Sequence, residues 1–128
     1  MIDDGLATKL LATTAITSLV STRIYPVRAE QDSPAPLLVF SKVSASDRRV
    51  HHSGKTPAAR SVFRFSCVGR TALEAKNIGD AVRVTFHGFK GAMGSDSVIL
   101  ARVLNEVDID DRDLGIASIV DIEFFHKE

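Results

Sequence analysis

Over residues 61–86 the hydrophobic period of this chain switches from two residues to about 3.6, and that switch limits the folds open to it. In "SVFRFSCV", residues 61–68, Phe63, Phe65 and Cys67 alternate with Arg64 and Ser66, as in a strand with one buried face. Just beyond lies "TALE", residues 71–74, a capping box in which Thr71 accepts from the Glu74 backbone N–H while the Glu74 carboxylate reaches back. Ala72, Ala75, Ile78, Gly79, Val82 and Phe86 then recur at helical spacing, with Glu74, Lys76, Asp80 and Arg83 turned outward. The helix should stop near His87 and Gly88. A strand that passes so quickly into an amphipathic helix places the helix against a sheet.

The flanking segments extend this arrangement. Asp3 and Asp4 offer a cap for a first helix with Leu6, Ala7, Leu10 and Leu11 on one stripe, and Thr14 a cap for a short second one. "RIYP" reads as an extended piece, because Pro26 moves Tyr25 out of helical geometry. "AEQDSPAP" is a polar turn region. "LLVFSKVS", residues 37–44, and residues 61–68 form two strands joined by a loop over 45–60, long for a compact domain and of the kind that more often carries function. "GFKGAMGSDS" reads as a flexible connection. Two further strands follow: Ile99, Ala101, Val103, Val107 and Ile109 on one face of the first, Ile116, Val120, Ile122 and Phe124 on one face of the second, with "DDRDLG" as their turn. The expected fold is α+β: a mostly antiparallel four-stranded sheet with helices packed on one face.

At 128 residues the chain reads as one domain, 1–128, able to bury a core without covalent staples. The single Cys67 lies inside an apolar alternation and reads as a buried small hydrophobe. The N-terminus carries acids where a secretory signal carries bases, and Ser and Thr interrupt its apolar residues, so a cytosolic, soluble protein without a membrane span is expected. Sixteen basic residues balance sixteen acidic ones. No global field draws the chain to nucleic acid, and any such contact is local.

The motifs that resemble chemistry fail on physical grounds. Gly54, Lys55 and Thr56 end like a phosphate-binding loop, but Arg49 stands where that loop needs its first glycine, and a strand rather than a helix follows. Asp108, Asp110, Asp111 and Asp113 suggest a calcium loop, yet Arg112 interrupts the oxygen ligands and no closing Glu follows. His51 and His52 are adjacent, so on a strand they diverge, and Arg48, Arg49, Lys55 and Arg60 around them disfavour a cation. Gly88, Gly91 and Gly94 follow a helix rather than a strand, opposite to a phosphate-cradling loop, and read as a mobile linker. No nucleophile triad, HExxH, CxxC or paired-carboxylate signature occurs, so neither enzyme, metal nor cofactor is expected. What remains is a basic loop whose charged residues, Arg48, Arg49, His51, His52, Lys55 and Arg60, form a candidate surface for a partner's carboxylates or for phosphate.

The landmarks "LATKLLATTAITSLVSTRIYP", "SPAPLLVFSKVS", "DRRVHHSGK", "RSVFRFSCVGRTALEAKNIGDAVRVTF" and "VDIEFFHKE", in this order over nearly the whole chain, resemble the tail-terminator or tail-completion proteins of long-tailed bacteriophages and gene transfer agents. The resemblance implies a structural virion protein, assembled in the bacterial host cytoplasm, that caps the tail tube as a ring, commonly of six copies. Such a ring stops tube polymerisation and joins the tail to the head or neck. Its implied partners are other copies of itself, the tube protein, a neck or head-completion protein, and DNA passing through the bore without sequence-specific binding. In that setting the basic loop contacts a neighbouring subunit, the tube or DNA. A neck connector of the same virion and a small nucleic-acid-binding module are the competing readings. The second lacks the exposed aromatics that single-strand binders use for stacking.

Overall fold

The structure, a computed structural model, describes residues 2–21, 23–26, 36–48, 58–93, 96–111 and 115–127. Helices α1 (Ile2–Ala12) and α2 (Thr14–Val20) are followed by β1 (Ile24–Pro26), β2 (Leu37–Arg48), β3 (Ala58–Gly69), α3 (Ala72–Phe86), β4 (Gly91–Met93), β5 (Asp96–Asp111) and β6 (Gly115–Lys127). They build an α+β fold around one sheet in the order β1-β2-β3-β6-β5-β4. Among the described residues the sheet has six strands rather than the expected four. The four long strands were visible as alternation, whereas β1 and β4 span three residues each, too few for a periodic signal, and they exist because long neighbours offer them an edge. β1 runs parallel to β2, and every other pairing is antiparallel. Pro26 sits on the outermost strand, where a residue without an N–H is tolerated.

The α3 prediction holds closely. Thr71 is the N-cap and its hydroxyl accepts from the Glu74 N–H at 3.2 Å. The reciprocal bond differs: the Glu74 carboxylate accepts from the Arg70 backbone N–H at 2.9 Å and from the Arg70 guanidinium, because the charged side chain one residue earlier draws it past Thr71. Ala75, Ile78, Gly79, Val82 and Phe86 are buried as one stripe. In α1, Leu6 and Leu10 are fully buried while Leu11 is exposed, and Asp3 and Asp4 lie inside the helix. The cap of α2 is Thr13 rather than Thr14, and its hydroxyl donates back to the Lys9 carbonyl at 2.7 Å.

Helices and sheet share one core. Leu38, Phe40, Phe63, Phe65, Cys67, Val120, Ile122 and Phe124 meet Leu6, Leu10, Ile16, Val20, Ile78, Val82 and Phe86 in a single buried cluster. Phe86 is its hub: its ring stacks on Phe65 at 5.6 Å between centroids and stands edge-on to Phe124 at 5.5 Å and Phe89 at 6.4 Å. Burying a ring of this size contributes roughly 1.5–3 kcal/mol, with aromatic geometry adding to it. The opposite face carries a smaller apolar group of Leu37, Val39, Val68 and Ala117, flanked by Tyr25 and Ile109.

Bulges explain where alternation misled. The β2–β3 register shifts at Val43, and the β5–β6 register shifts at Ile99 and at Leu104. An extra residue reverses the side-chain phase beyond it. Ala101 and Val103 therefore pair with Phe124 and Ile122 on the helix side, while Val107 and Ile109 pair with Ile119 and Ala117 on the other face. Ile99 is exposed at its bulge. In β6, which has no bulge against β3, the expected face holds.

Candidate functional site

The strand ends place the two long hairpins in opposition. Arg48 pairs with Ala58 at the end of β2–β3 where residues 49–57 connect the two strands, beside Ala59 and its partner His126 near the C-terminal end of β6. The β5–β6 hairpin closes at the other end of the sheet, where Asp111 pairs with Gly115 and Ile116 lies opposite Gly69. The subunit thus has unlike poles. One is the base of the basic segment. At the other, Asp108, Asp110 and Asp111 approach the turn.

Of the predicted interface residues, Arg49, His51, His52 and Lys55 lie outside the described residues, as do 112–114 of the expected acidic turn. Arg48 closes β2. Arg60 belongs to a charge ladder across β3, β6 and β5 on the face away from the helices. Its Nε donates to Glu123 Oε1 at 2.7 Å, and Arg102 donates to Glu123 Oε2 at 3.3 Å. Glu123 is almost fully buried beneath the two arginines. Burial pushes its carboxyl up, but the hydrogen bonds and charges of Arg60 and Arg102 outweigh that and hold it below the usual carboxylate range. One step along, Arg64 makes a two-pronged bond to Asp121 at 3.0 and 3.3 Å. That contact raises the Arg64 pKa further.

Sequence reasoning passed over Arg102, Asp121 and Glu123. The signal was there, since acids at 121 and 123 alternate with Val120, Ile122 and Phe124, but which base each would meet depends on the β3–β6–β5 register. On the helix side of the same region, Ser61 Oγ and His126 Nε2 are 2.9 Å apart and buried.

Two shallow depressions flank α3 where it leaves the sheet toward β5. One, about 420 Å³, is lined by Arg83, His87, Val103, Leu104, Asn105 and Glu106. The other, about 270 Å³, has Gly79, Ser118 and Val120 at its floor and Lys76, Asp80, Glu106 and Asp108 at its rim. Ion pairs Arg83–Glu106 at 3.2 Å and Lys76–Asp108 at 3.7 Å cross this groove. Cys67 is buried and its thiol pushed up by burial, the reverse of an activated nucleophile. Among the described residues no group of three or more His, Cys, Asp or Glu is placed to hold a metal ion, and no helix is long and apolar enough to cross a membrane.

No curated protein matches the sequence. Among solved structures, a chain of the virion of a native gene transfer agent particle superposes with a TM-score of 0.77 at 13% identity, over 95% of this chain and 92% of that one. At that identity the match establishes a shared fold. The family described as tail completion protein gp17 matches residues 4–126, nearly the whole chain, and the protein belongs to that family.

Proposed function

We propose that the protein is a structural subunit of the virion tail that caps the tail tube as a ring, ends its polymerisation and joins the tail to the head or neck. The observation that carries this reading is the family match from residue 4 to residue 126. The opposed hairpins support it. A ring needs two different surfaces on each subunit meeting head to tail, and this sheet ends in a basic hairpin at one pole and an acidic one at the other. Six copies are the expected number, with the tube protein on one side of the ring and a neck or head-completion protein on the other.

In this role the protein acts by surface complementarity, without turnover or cofactor. Arg48, Arg49, His51, His52 and Lys55 serve a neighbouring subunit or the tube, meeting carboxylates. Arg60 supports them from within, since Glu123 already engages it. That pairing also favours a protein partner over DNA: the ladder compensates Arg60 and Arg64 with carboxylates at 2.7 and 3.0 Å, leaving less charge to hold phosphate. DNA then crosses the bore without specific retention.

The test is the mass of the purified chain at micromolar concentration, alone and with tube protein, followed by micrographs of labelled particle necks. A ring that binds tube ends and halts their growth is expected. A chain that stays monomeric in both conditions, or assembles with portal components and ignores the tube, overturns the reading.

A further inference from the structure

Between α3 and the second half of β5 lies a groove whose floor holds an unsatisfied polar group. Glu106 and Asp108 stand opposite Val120 and Ser118 of β6, so the four side chains share the face on which α3 packs. Lys76, Gly79 and Asp80 of α3 close the groove, which encloses about 270 Å³. Ser118 at its floor is 6% exposed, and among the described residues its hydroxyl has no hydrogen-bond partner. Gly79 leaves that hydroxyl uncovered, because a Cβ there would stand 2.9 Å from Ser118 Oγ. Burying a hydroxyl without a partner costs free energy. Here it looks into a groove with room for one long side chain.

The rim is short of cations. Arg83 serves two carboxylates, donating to Asp80 at 3.5 Å and pairing with Glu106 at 3.2 Å. Lys76 stands 3.7 Å from Asp108. Three acids thus share two bases, and the Glu106 and Asp108 side chains remain about half exposed, at 49% and 56%. Surplus carboxylates beside an unpaired hydroxyl oxygen are all acceptors, and the group that satisfies them together is an ammonium or a guanidinium.

The backbone beside the groove is open as well. The Val103 N–H points away from β6, toward His87, and Val103 stands opposite Ile122. By the same alternation Glu106 and Asp108, opposite Val120 and Ser118, aim their N–H and C=O groups outward, and among the described residues none bonds to them there.

Charge selects what fills the groove. The chain is neutral as a whole, sixteen bases against sixteen acids, yet it divides its charge between the two poles. Glu106 and Asp108 lead in sequence to Asp110, Asp111 and Asp113, whereas Arg48 at the far end of the sheet leads to Arg49, His51, His52 and Lys55. Two copies meeting at like poles set equal charges against each other, which is unfavourable. Two copies meeting at unlike poles neutralise both.

We infer that the groove between α3 and β5, with Ser118 at its floor, is a socket for an arginine or lysine side chain of a second copy of this chain, brought there by the basic end of that copy's β2–β3 hairpin. The contact is heterologous, as closure into a ring requires. The inference rests on the ring reading above and names the surface that receives the neighbouring subunit.

A charge-swap experiment on the full chain tests it. Asp108→Lys reverses one rim charge, and Arg48→Glu with Arg49→Glu reverses the hairpin. Light scattering should show that each variant alone needs at least about a hundredfold more protein than the parent to form rings. Mixed in equal amounts, the two should form rings again, because every groove then meets a hairpin of opposite charge. Ser118→Ala should raise the concentration needed roughly three- to tenfold and leave the urea midpoint of the subunit unchanged, since the hydroxyl bonds to nothing within it; this variant decides the matter if a charge reversal fails to fold. Variants that assemble like the parent, or a mixture that does not recover, overturn the socket and leave the ring standing. Ser118→Ala rings as tight as the parent's overturn it too. A parent that forms no oligomer, alone or with tube protein, removes both proposals.

Discussion

Glu123 should be worth far more to this fold than a charged residue on the uncovered face of a sheet ordinarily is. Its side chain is 2% exposed, with Arg60 at 2.7 Å and Arg102 at 3.3 Å. Removing one member of a buried ion pair costs about 3–5 kcal/mol when the surviving charge is stranded. Here the survivors are arginines with 29% and 56% of their side chains exposed, so water solvates them again, and Gln retains one carbonyl oxygen for Arg60. Lost charge-assisted hydrogen bonds of about 1.5–3 kcal/mol then dominate. Glu123→Gln should therefore cost about 2 kcal/mol, read as a fall in Tm of roughly 6–10 °C for a domain of this size.

The internal control is Asp121→Asn, which breaks the Arg64 pair whose arginine is 46% exposed and should cost less than about 1 kcal/mol. Acid titration adds a second readout. The folded Glu123 pKa is depressed, so its contribution is present above the unfolded value of about 4.3 and fades as pH falls through the folded one. Glu123→Gln should flatten that limb of the stability curve. Equal losses for Glu123→Gln and Asp121→Asn in urea melts, with identical acid limbs, would refute the argument that burial organises this carboxylate.

Three further outcomes follow from the geometry. Gly69→Ala should destabilise by about 2 kcal/mol in denaturant unfolding, because the new Cβ would stand 2.6 Å from the Ala75 backbone nitrogen, which cannot move without shifting α3; an unchanged midpoint contradicts the close approach. Thr71→Ala should cost about 1 kcal/mol by removing the cap on the Glu74 N–H, with Thr71→Ser restoring most of it in the same melts. The Cys67 thiol is fully buried and raised in pKa, so a thiol reagent should label it only in denaturant; rapid labelling of the native protein would show the core to be open there.

Most of the helix–sheet core was legible because each contributing segment carries its own period. Ile78, Val82 and Phe86 announce a helix stripe, and Phe63, Phe65, Cys67, Val120, Ile122 and Phe124 announce strand faces. The basic segment was conspicuous for its charge alone, and Arg60 could not be distinguished there from Arg48. The sheet register distinguishes them: Arg60 lies diagonally across from Glu123 and is held by it, whereas Arg48 stands at the hairpin end. Val107 and Ile109 were assigned to the wrong face because a bulge at Leu104 leaves no mark in an apolar alternation.

Local chemistry alone determined that α3 begins at Thr71, that its apolar stripe lies on a sheet, and that no catalytic motif is spelled out along the chain. These depend on neighbours within a few residues, where spacing along the polymer is also spacing in space. The pairing order β1-β2-β3-β6-β5-β4 and the burial of Glu123 between Arg60 and Arg102 were decided only in the folded molecule. Each is set by contacts between residues distant in sequence, and a one-residue shift in register would reverse which side chains meet and which backbone groups remain free.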